Sequence, residues 1–195
     1  MSDREGLRLS LFDVHVNSGM IAPEPHTQSI EIEGVSQSSP DSTLAEAREL
    51  LLEYGRFVIA QPGAARFCFG TLEKEAARLP LSYQEQGGGS LLAYVNSKPA
   101  GFVAWRSLSA EVASQACELK RLWVRPIARG LGLGRALTQS VLDRAANAGY
   151  TAVYLDTAPA SMAAAHNLYL EMSFAPCAPY NDNPVEALEY MMKQL

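Results

Sequence analysis

The sequence predicts an α+β fold, a mixed and mostly antiparallel central sheet flanked by helices, with a single βαβ crossover. Three observations lead there. The middle of the chain reads as successive strands joined by short turns; a glycine-rich turn then opens a long amphipathic helix that leads to one more strand; and a helix and a strand close the chain, with no internal repeat. At 195 residues and 48% hydrophobic content, the chain holds apolar material for one sizeable core, so the expected organisation is one domain over 27–195 behind a flexible tail, 1–26.

The elements follow in order. Up to Thr27 there is no sustained periodicity, and Pro23 and Pro25 would interrupt any element. Gln28 to Glu33 alternates as a strand does. The Ser/Pro/Asp cluster at 36–42 then opens a helix to about Tyr54, with Leu44, Ala47, Leu51 and Tyr54 on one face. A second helix is expected from Phe69 to Arg78, stopped by Pro80. Leu91 to Val95, a turn at 96–99, and Gly101 to Ser107 read as a hairpin, and Ala116 to Val124 as a third long strand. From about Gly130 to Ala148, Leu133, Leu137, Val141 and Ala145 stack at helical spacing, and Gly149 ends the run. A strand from Thr151 to Leu155, a helix from Pro159 to Met172 and a strand from Leu188 to Lys193 complete the chain.

A net charge of −5 argues against sequence-independent binding to nucleic acid or to an anionic membrane. Against that background Lys120, Arg121, Arg125, Arg129 and Arg135 form a cationic block with no acid between Leu119 and Leu142, which suits an anionic ligand. Cys68, Cys117 and Cys177 are too few and too scattered for a disulfide framework, and none stands at metal-ligand spacing from His15, His26 or His166. Charges interrupt the first twenty residues, and no apolar run is long enough for a signal core or a membrane span. The expectation is a cytoplasmic protein that needs no metal.

The segment Arg129-Gly130-Leu131-Gly132-Leu133-Gly134-Arg135 places glycines at alternate positions ahead of a helix. Backbone N–H groups can converge there, the helix N-terminus adds its positive dipole end, and Arg129 and Arg135 can add charge-assisted bonds, so the loop can cradle a pyrophosphate. A Walker loop is excluded because Arg135-Ala136 stands where Lys-Ser/Thr is required. A dinucleotide fingerprint, with Asp156 as its ribose acid, is a closer rival. It lacks the third glycine in register and a second βαβ unit.

Val124-Arg125-Pro126, followed by Arg129-x-x-Gly132-x-Gly134, resembles motif A of the GNAT superfamily of N-acetyltransferases. The run 165–174, Ala-His-Asn-Leu-Tyr-Leu-Glu-Met-Ser-Phe, resembles its motif B, with Ser173 where glycine is usual. The resemblance implies that the strands ending at Val124 and near Leu155 splay apart to admit the pantetheine arm of acetyl-CoA. It places the pyrophosphate on the amides of Gly130, Leu131, Gly132, Leu133, Gly134 and Arg135, with Arg129 beside it. Leu122, Trp123, Val124 and Asn167 would contact the arm, and a backbone N–H near Leu122 to Val124 would serve the oxyanion.

The activity so implied is acetyl transfer to a primary amine, a small molecule or amino acid rather than a protein. An alkylamine is an ammonium ion at neutral pH and must lose a proton before it attacks a thioester, and the departing thiolate benefits from an acid. Glu118, where the family often carries a glutamate, is the expected base; as a plain structural residue it would be an edge carboxylate paired with Lys120 or Arg121. Tyr169 matches the family's thiolate-protonating tyrosine and otherwise belongs to the core. Cys117 and His166 read as structural. The proline-stiffened segment 175–184 is expected either to wall the acceptor pocket, through Tyr180 and Asn183, or to serve only as a connector. A CoA-binding domain without catalysis stays open beside the enzyme, as does a homodimer.

Overall fold

The computed structural model describes residues 28–61, 69–183, 185 and 187–195; the expected tail, Cys68, His15 and His26 lie outside them. The strands are β1 (Ile30–Val35), β2 (Gly89–Val95), β3 (Lys98–Ser107), β4 (Ala116–Val124), β5 (Ala152–Thr157), β6 (Ala175–Pro176) and β7 (Glu189–Gln194). They form one sheet in the order β1-β2-β3-β4-β5-β7-β6. Every neighbouring pair is antiparallel except β4 and β5, which the crossover helix α4 (Leu133–Asn147) joins in parallel. The helices before it are α1 (Asp41–Ile59), α2 (Phe69–Ala77) and α3 (Leu81–Gln84), and α5 (Ala163–Glu171) follows β5.

Period-two alternation sorts the side chains onto two faces. Leu91, Val103, Cys117, Leu119, Val153, Leu155 and Met191 meet Leu133, Leu137 and Val141 of α4, with Tyr169, Met172 and Phe174 of the α5 region closing that layer. On the other face Leu92, Phe102, Ala104 and Trp123 meet Leu50 and Leu51 of α1, Leu72 of α2 and Tyr83 of α3.

Several boundaries differ from the sequence reading. Helix α1 continues five residues past Tyr54, to Ile59, because Val58 still finds the core. Helix α4 starts at Leu133 rather than Gly130, because Gly130 and Gly132 take positive φ of 81° and 79°, outside helical geometry. Helix α5 starts at Ala163, four residues after Pro159. The short α3, beyond Pro80, was not anticipated. Ser173 takes the left-handed conformation, with φ of 65°. Phe174 N–H bonds to Tyr169 O at 2.9 Å and Ser173 N–H to Leu170 O at 3.0 Å, the paired bonds of a Schellman end. The turn that glycine would make is therefore kept.

Two irregularities shape the site. Strands β4 and β5 pair only at Ala116↔Ala152, Cys117↔Val153 and Glu118↔Tyr154, although β4 runs on to Val124 and β5 to Thr157. Beyond Glu118 the two strands diverge, as the resemblance implied. The second irregularity is a bulge in β4. Ala104 pairs with Lys120 and Phe102 with Trp123, so Val103 faces both Arg121 and Leu122, and Arg121 has φ of 61°.

Candidate active site

Glu118 and Lys120 lie two apart on β4 and share the face opposite Cys117 and Leu119, as Tyr154 and Asp156 share theirs on β5. The bulge adds Arg121 to that side. In unbroken alternation it would point into the α4 core; instead its guanidinium meets Glu75 of α2 at 3.1 Å and 3.0 Å and lies over the Tyr54 ring at 5.7 Å. Lys120 and Arg121, undecided from sequence, both line the fork.

Glu118 is 1% exposed and lies in an interior strand, not at a sheet edge. Its Oε2 accepts from Arg106 Nε at 2.9 Å, and its Oε1 accepts from Tyr180 Oη at 3.0 Å and Asn181 Nδ2 at 3.2 Å, with Lys120 Nζ at 3.2 Å. Burial would raise its pKa, but the Lys120 and Arg106 cations outweigh burial and hold it below the ordinary carboxylate value. It is a well-compensated anion with both oxygens engaged. To act as the expected base on an acceptor, it would first have to release a donor.

The segment after α5 crosses this face. Tyr180 stacks edge-on against Tyr154 and Tyr190 at 5.3 Å and 5.4 Å while donating to Glu118. Asn181 Nδ2 bridges Glu118 Oε1 and Asp156 Oδ2, each at 3.2 Å, linking β4 to β5 where their own pairing has ended. Asn183 Nδ2 donates to the same Asp156 oxygen at 3.2 Å, and its own Oδ1 accepts from Val185 N–H at 3.1 Å. The segment is a strap across the fork.

Between strap, fork and α1 lies a cavity, open to solvent and lined by Tyr54, Val58, Lys120, Arg121, Asp156, Thr157, Ser161, Met162 and Asn183 among others. Asn183 is thus at the cavity wall. Tyr180 lines a second, shallower groove with Tyr154 and Cys177 on the strap's other side. Thr157 is 3% exposed, and its Oγ1 has no hydrogen-bond partner among the described residues.

Tyr169 is buried on α5, its ring edge-on to Phe174 at 5.6 Å. Burial raises its pKa, and the neighbouring Tyr54 and Asp156 raise it further, so the hydroxyl keeps its proton. Asn167, two residues earlier, is exposed. Cys117 is fully buried, and burial with the adjacent Glu118 pushes its thiol up to about 12, which suits a structural residue and not a nucleophile. His166 Nε2 stands 2.8 Å from Glu189 Oε2 on β7.

On the loop side, Leu122 and Val124 pack against the α4 core, and Trp123 against α1 with its indole N–H on Glu53 at 3.0 Å. Arg125 fixes the loop's entry by donating to the Glu53 carboxylate and to Pro99 O at 2.9 Å. Gly130 and Gly132 are exposed, and a Cβ on either would meet nothing within 4 Å, so the loop's outer side is open. Leu131 packs partly, and Leu133 fully, against the core, whereas a Cβ on Gly134 would stand 3.2 Å from Leu168 of α5. The Arg129 guanidinium lies over Trp123 and Phe57 at 5.2 Å and 5.9 Å, and Arg135 pairs with Glu171. Both arginines stand at the loop, each already in contact with protein.

Asp156, Tyr54 and Thr157 are not marked as site residues by the sequence. Asp156 drew notice only as a ribose acid in the rejected dinucleotide reading, and nothing local marks Tyr54, on a helix far back in the chain. Among the described residues no group of three or more His, Cys, Asp or Glu could hold a metal ion, and no helix is long and apolar enough to cross a membrane.

A mixed sheet whose central parallel pair opens into a fork, with a glycine loop on a helix N-terminus behind it, defines the class of acyl-CoA-dependent transferases. The family model described as "Acetyltransferase (GNAT) family" matches residues 52–174, and the chain belongs to that family. An uncharacterized N-acetyltransferase of Schizosaccharomyces pombe is 37% identical over 79 residues, which make up 40% of this chain and 48% of that protein. The match therefore spans about half the length of that curated relative. The PaiA N-acetyltransferase of Thermoplasma acidophilum, solved in complex with coenzyme A, has a similar structure, with a TM-score of 0.64 and 17% identity over 86% of this chain and 99% of that one. YncA of Salmonella typhimurium, solved with its cofactor acetyl-CoA, gives a TM-score of 0.58 and 20% identity over 85% and 93%.

Proposed function

We propose that the chain transfers the acetyl group of acetyl-CoA directly to a primary amine of a small molecule or amino acid. The observation that carries this reading is the fork: β4 and β5 part after Glu118 and Tyr154, and Lys120, Arg121 and Asp156 of the parted strands line a polar, solvent-open cavity. The open side of Gly130 and Gly132 takes the pyrophosphate on backbone N–H groups, and the free edges of β4 and β5 take the pantetheine arm. Known relatives of this shape were solved with coenzyme A or acetyl-CoA, which supports the donor.

The bound ammonium sheds one proton to water, which the cavity's opening to solvent admits. Its nitrogen lone pair then forms a bond to the thioester carbon, and the carbon–sulfur pair departs with sulfur as the intermediate collapses. A backbone N–H of the bulged end of β4 holds the oxyanion, the Tyr169 hydroxyl gives its proton to the thiolate, and the second proton lost by the nitrogen as the amide forms restores that hydroxyl through water. Glu118 is the base the sequence suggested. With both oxygens engaged, it acts in this reading as a positioning residue that fixes Lys120, Tyr180 and Asn181 about the cavity, and Asn183 forms part of the acceptor wall.

The test is release of free CoA thiol from acetyl-CoA on adding a panel of primary amines. Tyr169→Phe should lower turnover about 10²-fold while leaving CoA affinity nearly intact. Glu118→Gln should lower kcat/KM by a similar factor at every pH, since a positioning role does not titrate with the amine. A loss confined to low pH would restore Glu118 as the base. No thiol release with any amine would leave a CoA-binding domain without catalysis.

A further inference from the structure

The cavity wall holds two charged groups whose bonding capacity the other described residues leave unused. Asp156 accepts from Asn181 and Asn183, both at Oδ2; Oδ1 accepts no hydrogen bond, and no ion pair reaches this carboxylate among the described residues. Lys120 has a 14%-exposed side chain and three ammonium donors, of which one has a protein partner, Glu118 at 3.2 Å. Both groups are part-exposed to the cavity, so a ligand there can supply the missing partners.

The unused groups differ in sign and share one wall. Asp156 makes no ion pair among the described residues, so its free oxygen can take an ammonium. Lys120, with Arg121 beside it in the bulge, presents the cationic side. The formal charges of the cluster cancel, Arg106, Lys120 and Arg121 against Glu75, Glu118 and Asp156, so a ligand with no net charge enters without leaving an excess. A second ammonium on the ligand would face Lys120 and Arg121 at short range and be repelled.

We propose that the acceptor is a small amino carboxylic acid bound as its zwitterion, with the ammonium on Asp156 Oδ1 and the carboxylate on Lys120 Nζ. This rests on the transferase reading above and narrows it. Asp156 then presents the nitrogen at the end of β5, next to the fork that holds the thioester. The strap gains a function from the same geometry: by fixing Asp156 Oδ2, Asn181 and Asn183 turn Oδ1 to the cavity.

The experiment measures kcat/KM for free α-amino acids, for their α-carboxamides and for 1,4-diaminobutane, in wild type and in Lys120→Met and Asp156→Asn. The acids should exceed their matched amides and the diamine by about 10- to 100-fold. Lys120→Met should erase the preference for acid over amide, with acetyl-CoA affinity by calorimetry unchanged. Asp156→Asn should raise KM for acids and amides alike by about 10- to 100-fold, since both carry the amine. Amides or diamine turned over as well as the acids would overturn the zwitterion while leaving the transferase standing. An acid preference that survives in Lys120→Met would overturn the assignment of the carboxylate. Absence of turnover with every amine would remove the transferase reading, and this proposal with it.

Discussion

Ser173 shows how much one side chain can oppose its own backbone. It follows the C-cap of α5 with φ of 65°, a conformation glycine adopts freely and an L-residue with a Cβ does not. Helix α5 carries Tyr169 and ends in the bond from Phe174 N–H to Tyr169 O, so the strain sits at the helix end that holds the proposed acid. Ser173→Gly should stabilise the fold by about 0.5–1 kcal/mol, read as a rise of roughly 1–4 °C in Tm. No rise would mean that the turn is held without strain. Turnover should not change, because the glycine makes the same turn.

At the scale of elements, the start of α4 separates two kinds of glycine. Gly132 is needed for its positive φ and has open space beside it, whereas Gly134 is needed because Leu168 of α5 packs 3.2 Å from where its Cβ would stand. Asparagine tolerates the left-handed region, so Gly132→Asn should keep the fold while placing a side chain on the loop's open side. Acetyl-CoA affinity, measured by calorimetry, should then fall about tenfold or more. Gly134→Val should lower Tm by pressing α4 away from α5. Unchanged acetyl-CoA affinity in a folded Gly132→Asn protein would place the pyrophosphate elsewhere. The β4 bulge works at the same scale: one extra residue turns Arg121 from the core to the cavity, where α2 meets it with Glu75.

Across the whole molecule, three part-buried or buried carboxylates tie the layers together. Glu53 holds α1 to Trp123 and Arg125, Glu75 holds α2 to Arg121 and to Tyr83 of α3, and Glu118 holds β4 to β3 and the strap. Burial alone would raise each pKa, but the bonded cations and donors leave all three below the ordinary value. The unfolded chain therefore takes up protons at these sites first. Their stabilisation is complete above the ordinary carboxylate value, about 4.5, and is lost as pH falls through the lower folded values. The urea midpoint should stay level from about pH 8 to 6 and fall below about pH 4.5, and the acid-side fall should be shallower in Glu75→Gln, from a lower starting stability. An equally steep fall in that variant would assign the acid transition to other groups.

The sequence by itself determined the order of elements, the single crossover, the glycine loop and the two motifs that mark the family, because each is local: alternation, helical spacing and turn residues lie within a few positions of one another. Even the fork was legible through the motif at Val124 to Gly134. What it could not give was the company each residue keeps. Glu118 stood out by position, yet its four partners come from β3, its own strand and the strap, and the sequence does not show that they engage both of its oxygens. Asp156, Tyr54 and Asn181 lie in three separate elements and meet only when β4 and β5 diverge and the strap closes over the gap. The tertiary structure decided which carboxylate faces the cavity, because hydrogen-bond saturation and exposure depend on neighbours brought from distant parts of the chain.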